Sequence, residues 1–331
     1  MATQKKSGKK SRFSYSKIDT YRSCGWKYYL TYQEGHYIFS ENVTTEFGTL
    51  VHFIEQQIGI ALMNGTPVNY AKLKDDFQNI NIPKTSKYDR SGGIYGTNIL
   101  KKRYPLEFLA TDERGKSFAT KAEDYLDYGI YRLEKWMQEH PTYKIFGLEQ
   151  NFEVEFEGET FAGAIDRIFY DEERNAYLIE DIKTKDKPFR DEDLPTPLQF
   201  VVYTLALRSI INDPEAKIEC QYDFPFCDLK QPAGTAGYMD RGTEKLRSLF
   251  SGIRKEEFAP GPSPLCAWCQ FSPTNPNQPK EGEGLCPYHS LWTPGNRTHK
   301  VAAPWKGMAH HKEAVERKET IKKELDIDFD F

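Results

Sequence analysis

Two apolar segments of this chain carry charge where buried strands normally exclude it. In AGAIDRIFYDEERNAYLIEDIKTKDKP, residues Ala162 to Pro188, Asp166 and Asp181 stand among Ile, Phe, Tyr and Leu on either side of the polar turn DEERN. Lys183 follows Asp181 by two positions. Burying an unpaired ion costs several kcal/mol, so a sheet that accepts these three groups must satisfy them. Side chains alternate along a strand, which puts Asp181 and Lys183 on one face and Ile182 on the other. If the two segments pair, Asp166 comes to lie beside them. One solution is a divalent cation such as magnesium, for which two carboxylates are hard oxygen ligands, with Lys183 serving the attacking water. The other is a buried salt bridge between Lys183 and one of the aspartates, with no metal.

The surrounding periodicities predict an α/β domain. Ser16 and Asp19 form a capping-box variant ahead of a helix from about Lys17 to Tyr32. Phe47, Leu50, Val51, Ile54, Ile58 and Leu62 mark a second helix from about Glu46 to Met63, and Ala122 to Trp136 a third that ends before Pro141. The span from Asn64 to Thr120 gives no clear pattern. QNFEVEFEG, TFAGAIDRIFY and NAYLIEDIK read as a three-strand meander. PTPLQFVVYTLALRSII follows as a helix with proline in its first turn, then a strand near KIECQYDFPF and a helix over GTEKLRSLFSGIR. Helices on both sides of a short strand cluster define the class.

Four short motifs in a fixed order then become informative: GTLVH (Gly48 to His52), GAID (Gly163 to Asp166), DIK (Asp181 to Lys183) and QFVVY (Gln199 to Tyr203). This order resembles the RecB-like branch of the PD-(D/E)xK nucleases, which includes the AddB nuclease domain and the CRISPR-adaptation nucleases. The resemblance implies a restriction-endonuclease-like core, a short mixed sheet flanked by helices. It also implies a magnesium- or manganese-dependent DNA nuclease, most simply an exonuclease in recombination, repair or replication of a phage or bacterium. By resemblance, Asp166 and Asp181 hold the metal, His52 is a further ligand, and Lys183 serves the water. Gln199 and Tyr203, at i and i+4 on one helix face, contact the substrate backbone or the lysine. Read without the family, His52 and Tyr203 fit a packed core equally well. Glu149 or Glu153 could add a carboxylate, and an ideal strand turns Glu180 away from Asp181.

Residues 259–295 are rich in Pro, Gly and Cys and cannot fold on apolar burial alone. CAWC (Cys266 to Cys269) and CPYH (Cys286 to His289) have the spacing of a zinc site. The family resemblance implies instead a 4Fe–4S cluster on Cys24, Cys266, Cys269 and Cys286, one cysteine upstream of the core and three after it. The interval between Cys269 and Cys286 is longer than the family's usual one, and His289 is the alternative fourth ligand. Cys220 and Cys227 read as packed thiols.

The chain of 331 residues is long enough for a substantial core, and an aromatic content of 14% argues for a folded protein. No apolar run approaches the roughly 18 residues of a membrane span. MATQKKSGKKSRF is basic without an apolar stretch behind it, so it does not read as a signal peptide. The expected location is therefore the cytoplasm, where the six cysteines stay reduced. A net charge of −4 gives no global nucleic-acid signature. The expected organisation is a basic arm over residues 1–13 and a single nuclease domain over 14–295. Within that domain lie a helical part (14–140), a core (about 144–226) and the cysteine-rich segment, and residues 296–331 form a charged tail. The tail's LDIDFDF resembles the acidic, Phe-terminated ends by which single-stranded-DNA-binding proteins recruit partners; a solvated acidic tail is the simpler reading. ATDERGKS (Ala110 to Ser117) fits a loose P-loop pattern, but its acids would repel phosphate, so a turn before a helix is expected. Rival functions are a non-catalytic DNA-binding protein on the same fold and a zinc-stapled interaction module.

Overall fold

The computed structural model describes residues 12–38, 42–84, 93–112, 115–190, 194–273, 275 and 278–288. In chain order the elements are β1 (Arg12–Phe13), α1 (Tyr15–Ser23), α2 (Gly25–Tyr28), a π-helical turn (Tyr29–Gln33), α3 (Val43–Met63) and α4 (Tyr70–Asn79). Next come β2 (Asn81–Ile82), β3 (Ile94–Tyr95), α5 (Thr97–Arg103), α6 (Pro105–Leu109), α7 (Phe118–Asp127) and α8 (Arg132–Glu139). The second half holds β4 (Tyr143–Phe156), β5 (Glu159–Asp171), β6 (Ala176–Ile182), α9 (Leu198–Ile211), β7 (Ile218–Phe224), β8 (Leu229–Ala233) and α10 (Tyr238–Arg254). Within the described residues, the chain divides into one compact unit of residues 12–13 and 42–243 and another of residues 14–38 and 244–288.

The first unit is built on a mixed sheet of order β1-β5-β6-β7-β8, with β4 paired to β5. β4, β5 and β6 form the antiparallel meander that the alternation predicts. Its first turn is tight because Glu157 and Gly158 both take positive φ, 54° and 79°, the conformation of a two-residue hairpin loop. At the second turn the Asp171 side chain accepts the backbone N–H groups of Glu173 and Arg174. β6 runs parallel to β7 with α9 as the connection, and β8 folds back antiparallel. Every residue of β6 except Tyr177 is buried, as befits an interior strand. Phe47, Leu50, Val51, Ile54 and Ile58 of α3 pack in one core with Ile145, Phe169 and Leu178 of the sheet, while Phe200, Val201, Val202 and Leu207 bury α9.

One feature of the pairing positions the site. β6 covers β5 only over Arg167–Asp171, and β1 covers only Thr160 and Phe161. Past the Arg167–Glu180 pair the two strands part, and β6 continues against β7 alone. Asp166 and Asp181 are the first residues beyond this fork.

Several elements differ from their predicted form. The first helix is capped by Ser14, whose Oγ accepts the Lys17 N–H, and not by Ser16 with Asp19. It breaks at Cys24, which is extended (φ −160°, ψ 107°). There Gly25 lies so close to the Ala259 backbone that a Cβ would stand 2.8 Å from its carbonyl oxygen. The third helix is two, α7 and α8, because Tyr128 leaves the helical region (φ −140°) and a 3-10 turn, Gly129–Tyr131, follows. Pro197 precedes α9 as its N-cap residue and is not in its first turn. The unpatterned span contains α4, β2, β3, α5 and α6. Ser117 caps α7 through the Thr120 N–H, in keeping with a turn before a helix at ATDERGKS; Glu113 and Arg114 of that stretch lie outside the described residues.

The core of the second unit is largely aromatic. Phe258 stacks on Tyr28 at 5.7 Å, Trp26 meets Tyr29 at 5.0 Å and Tyr288 at 5.4 Å, and Phe250 and Phe271 are fully buried. Among the described residues no helix is long and apolar enough to cross a membrane. The basic residues before Arg12, His289 and the acidic tail lie outside the described residues.

Candidate active site

The fork brings the predicted residues together from four elements. Asp166 (β5) turns its carboxylate across the gap, and its Oδ2 accepts the Ile182 N–H at 2.7 Å. His52, in α3, lies with Nδ1 3.8 Å from that oxygen. Gly48 brings α3 close to the end of β6; a Cβ there would stand 3.3 Å from Thr184 Oγ1. Asp181 (β6) is buried, and Lys183 Nζ forms an ion pair with its Oδ2, although no hydrogen bond of regular geometry reaches that atom. Gln199 (α9) joins the rest: its Nε2 donates to Asp181 Oδ1 (2.7 Å) and to Tyr203 Oη (2.9 Å), and its Oε1 accepts from Lys183 Nζ (3.2 Å). The predicted i, i+4 pair therefore faces Asp181 and Lys183, with Tyr203 steadied edge-on by Phe152 at 5.9 Å. Gly163 packs beneath that ring, where a Cβ would lie 3.0 Å from Phe152 Cζ and the ring would have to give by a few tenths of an ångström.

The geometry separates the two candidate glutamates. Glu149 Oε1 is 3.5 Å from His52 Nδ1, and ligand atoms of His52, Glu149 and Asp166 all fall within 4.8 Å of one another. Glu153 instead forms an ion pair with Arg12. The register contains the signal for this choice. Phe156 faces Glu159 at the hairpin, and equal steps back and forward from that pair bring Glu149 opposite Asp166, on the same face of the sheet. Glu149 also holds φ at +43°, a left-handed conformation rarely taken inside a strand except where function or a bulge demands it.

The electrostatics of this group are unbalanced. Burial pushes the Asp166 carboxyl up, and the Asp181 charge raises it further, to about 7, although His52 and the Ile182 N–H oppose the rise. Burial lowers His52, but Asp166, Glu149 and Asp181 more than reverse this and carry it to about 9. Burial and the neighbouring carboxylates hold the Tyr203 hydroxyl protonated, well above its ordinary range. Three carboxylates and an imidazole therefore crowd one half-buried cleft, and hard oxygen and imidazole donors of this kind suit a divalent ion.

On the opposite face of the same strands lies a second charged cluster that sequence reasoning missed, formed by Glu55, Arg167, Glu180 and Asp223. Glu180 belongs to it, as the alternation of β6 predicts.

In the second unit, Cys24, Cys266, Cys269 and Cys286 line one pocket with Trp26 and Tyr288. Backbone N–H groups point at the sulfurs: Lys27 and Gly261 at Cys24 (3.4 and 3.3 Å) and Ser263 at Cys266 (3.5 Å). The Phe271 and Tyr288 amides serve Cys269 and Cys286 in the same way. Burial pushes the Cys269 and Cys286 thiols up, the latter to about 12, with the neighbouring sulfurs adding to the rise. Among the described residues, no three of these sulfurs lie within 4.8 Å of one another. Cys220 is buried against Thr204 and Tyr238, and Cys227 is half-buried.

No curated protein is similar to this chain in sequence. Among solved structures, a "Putative exonuclease" from Eubacterium rectale aligns over 77% of this chain and 85% of its own, with 13% identity and a TM-score of 0.38. The sequence matches the PD-(D/E)XK nuclease superfamily over residues 12–274, a span that contains the fork and all the residues gathered around it. The chain is a member of the PD-(D/E)XK nuclease superfamily.

Proposed function

We propose that this protein is a metal-dependent deoxyribonuclease of the RecB-like branch, acting as an exonuclease. The observation that carries the reading is the meeting of His52, Glu149, Asp166, Asp181 and Lys183 at the β5–β6 fork. The exonuclease assignment rests on the ordered motifs GTLVH, GAID, DIK and QFVVY. A magnesium or manganese ion held by His52, Glu149 and Asp166, with Asp181 beside them, would supply Lewis-acid activation of water and neutralise phosphate charge. His52 must first give up its proton, since only neutral imidazole is a ligand. The Lys183 ammonium, held at Asp181 and Gln199, stands ready to stabilise negative charge that develops on the phosphate. Gln199 fixes the orientation of both Asp181 and Lys183, and the protonated Tyr203 hydroxyl can donate to a backbone phosphate oxygen.

The pocket of the second unit is read as the seat of a 4Fe–4S cluster on Cys24, Cys266, Cys269 and Cys286. Four thiols with amide hydrogens directed at them suit cluster ligation. The cluster would tie α1 and α2 to the C-terminal segment.

The test is cleavage of end-labelled single- and double-stranded DNA with magnesium or manganese, comparing wild type with Lys183→Ala. Ion-dependent cleavage lost in the variant is expected, with the ladder from each end giving the polarity. Wild type that cuts nothing, or a variant that cuts equally well, overturns the assignment. Iron and acid-labile sulfide in anaerobically purified protein test the cluster; zinc without sulfide overturns it.

A further inference from the structure

The side chain of Arg167 is 1% exposed, and its guanidinium is surrounded by acids. Nη1 donates to Glu180 Oε1 at 2.6 Å and Nη2 to Glu55 Oε2 at 2.7 Å, while Asp223 Oδ2 lies 3.7 Å from Nη1. The acids have further partners. Tyr125 donates to Glu55 (2.7 Å), Gln221 to Glu180 (2.6 Å) and Arg132 to Asp223 (2.8 Å). Lys230 bonds Glu180 and sits 3.4 Å from Asp223. Burial would push Asp223 up, but Lys230, Arg132 and Arg167 together hold it below the usual carboxylate range. Three carboxylates, those of Glu55, Glu180 and Asp223, thus face three cations inside the unit.

Stability alone is a poor reason for such a cluster. Desolvating several ions costs energy that their attraction often fails to return, and apolar replacement of a buried ion set is frequently neutral or stabilising. The bonding is also incomplete, because Arg167 Nε is buried without a hydrogen-bond partner.

Its placement supplies the reason. Each member is a near neighbour of a residue at the fork. Arg167 follows Asp166 on β5, and Glu180 precedes Asp181 on β6; the two face each other as the last pair before the strands part. Glu55 is one helical turn beyond His52 on α3. Asp223, on β7, accepts the Lys183 backbone N–H on its carbonyl at 2.8 Å. One rigid planar fork therefore grips the three elements that bear His52, Asp166 and Asp181, and reaches a fourth that holds Lys183.

We propose that the Arg167-centred ion cluster is a positioning device: it fixes α3, β5, β6 and β7 so that His52, Asp166, Asp181 and Lys183 keep the spacing a divalent ion requires. The inference rests on the nuclease reading. Apolar packing would hold these elements together yet let them slide by fractions of an ångström, which a metal site does not tolerate.

The experiment measures manganese affinity by calorimetry on full-length protein, alongside thermal stability and near-ultraviolet circular dichroism. Two variants are compared with wild type. Glu55→Leu/Arg167→Met/Glu180→Leu removes the guanidinium and the two carboxylates it bonds while keeping the volume, leaving Asp223 to Arg132 and Lys230, and Arg167→Lys keeps the charge but removes the fork. The expected result is a folded protein, with the triple variant at least as stable as wild type, and manganese binding weakened about 10–100-fold in both. Wild-type affinity in either folded variant overturns the proposal. So does a loss of affinity that appears only together with loss of tertiary structure in both variants, which would make the cluster a matter of folding. A wild type that binds no manganese overturns the nuclease reading itself, and this inference with it.

Discussion

Asp166 accepts the amide hydrogen of Ile182 at 2.7 Å, and with the same oxygen stands 3.8 Å from His52 Nδ1. One carboxylate therefore ties two strands where their own ladder has ended and also contributes charge to the cleft. The two duties separate by substitution. Asp166→Asn keeps an oxygen for Ile182 and loses the charge, whereas Asp166→Ala loses both. The Asn variant is expected to fold with stability equal to or above that of metal-free wild type, since a raised carboxyl is replaced by a neutral group, while manganese binding disappears. The Ala variant should lose about 1–3 kcal/mol relative to Asn, from the unpaired amide. Urea titrations of both, with calorimetry, check this.

The pKa shifts set a direction for stability against pH. Asp166 and His52 both bind protons more tightly in the folded chain than in the unfolded one, at about 7 and about 9. Their stabilising contributions are complete below the unfolded values, about 4 and about 6.5, and are lost as pH rises through the folded ones. In chelator, the melting temperature should fall from pH 6 to pH 9.5 more steeply for wild type than for Asp166→Asn. Manganese should reverse the trend, because binding needs the deprotonated groups.

Gln199 bonds Asp181, Lys183 and Tyr203 at once. Gln199→Ala should leave the fold intact and lower kcat about 10–100-fold, with a smaller change in KM for DNA. An unchanged kcat would show that Asp181 and Lys183 hold their places without it.

Gly163 lies under the Phe152 ring, where a Cβ would stand 3.0 Å from Cζ. Gly163→Val should destabilise by about 1–3 kcal/mol through overpacking, and it should slow cleavage by moving Phe152 and, through it, Tyr203. Denaturant midpoints and single-turnover rates measure the two effects.

Much of this site was legible because its signals are local. Asp181, Lys183, Gln199 and Tyr203 lie on elements whose periodicity is plain, and Asp166 falls on a strand bounded by clear turns. Glu149 was readable in principle from the hairpin register, but an alternating EQNFEVE run offers several acids, and only the turn count chooses among them. Arg167 and its partners were not legible. Glu55, Arg167, Glu180 and Asp223 lie far apart in sequence, each looks like a solvated charge, and no pattern of period two or 3.6 marks an ion that meets its partner across a sheet. The break at Cys24 was hidden for a similar reason, since the backbone that crowds Gly25 is that of Ala259, more than two hundred residues later.

That break has a consequence for how the chain is made. Cys24 shares a pocket with Cys266, Cys269 and Cys286, so the unit that contains it is assembled from the two ends of the described chain. During synthesis α1 and α2 emerge early, and residues 42–243, which supply every strand of the sheet except β1, are made before the segment those helices pack against. The N-terminal helical segment meets Phe258 and Ala259 only once that stretch is made, and its Cys24 meets the last cysteine of the pocket only when Cys286 has cleared the ribosome. For most of its translation the protein carries an N-terminal helical segment whose packing partners have yet to be made.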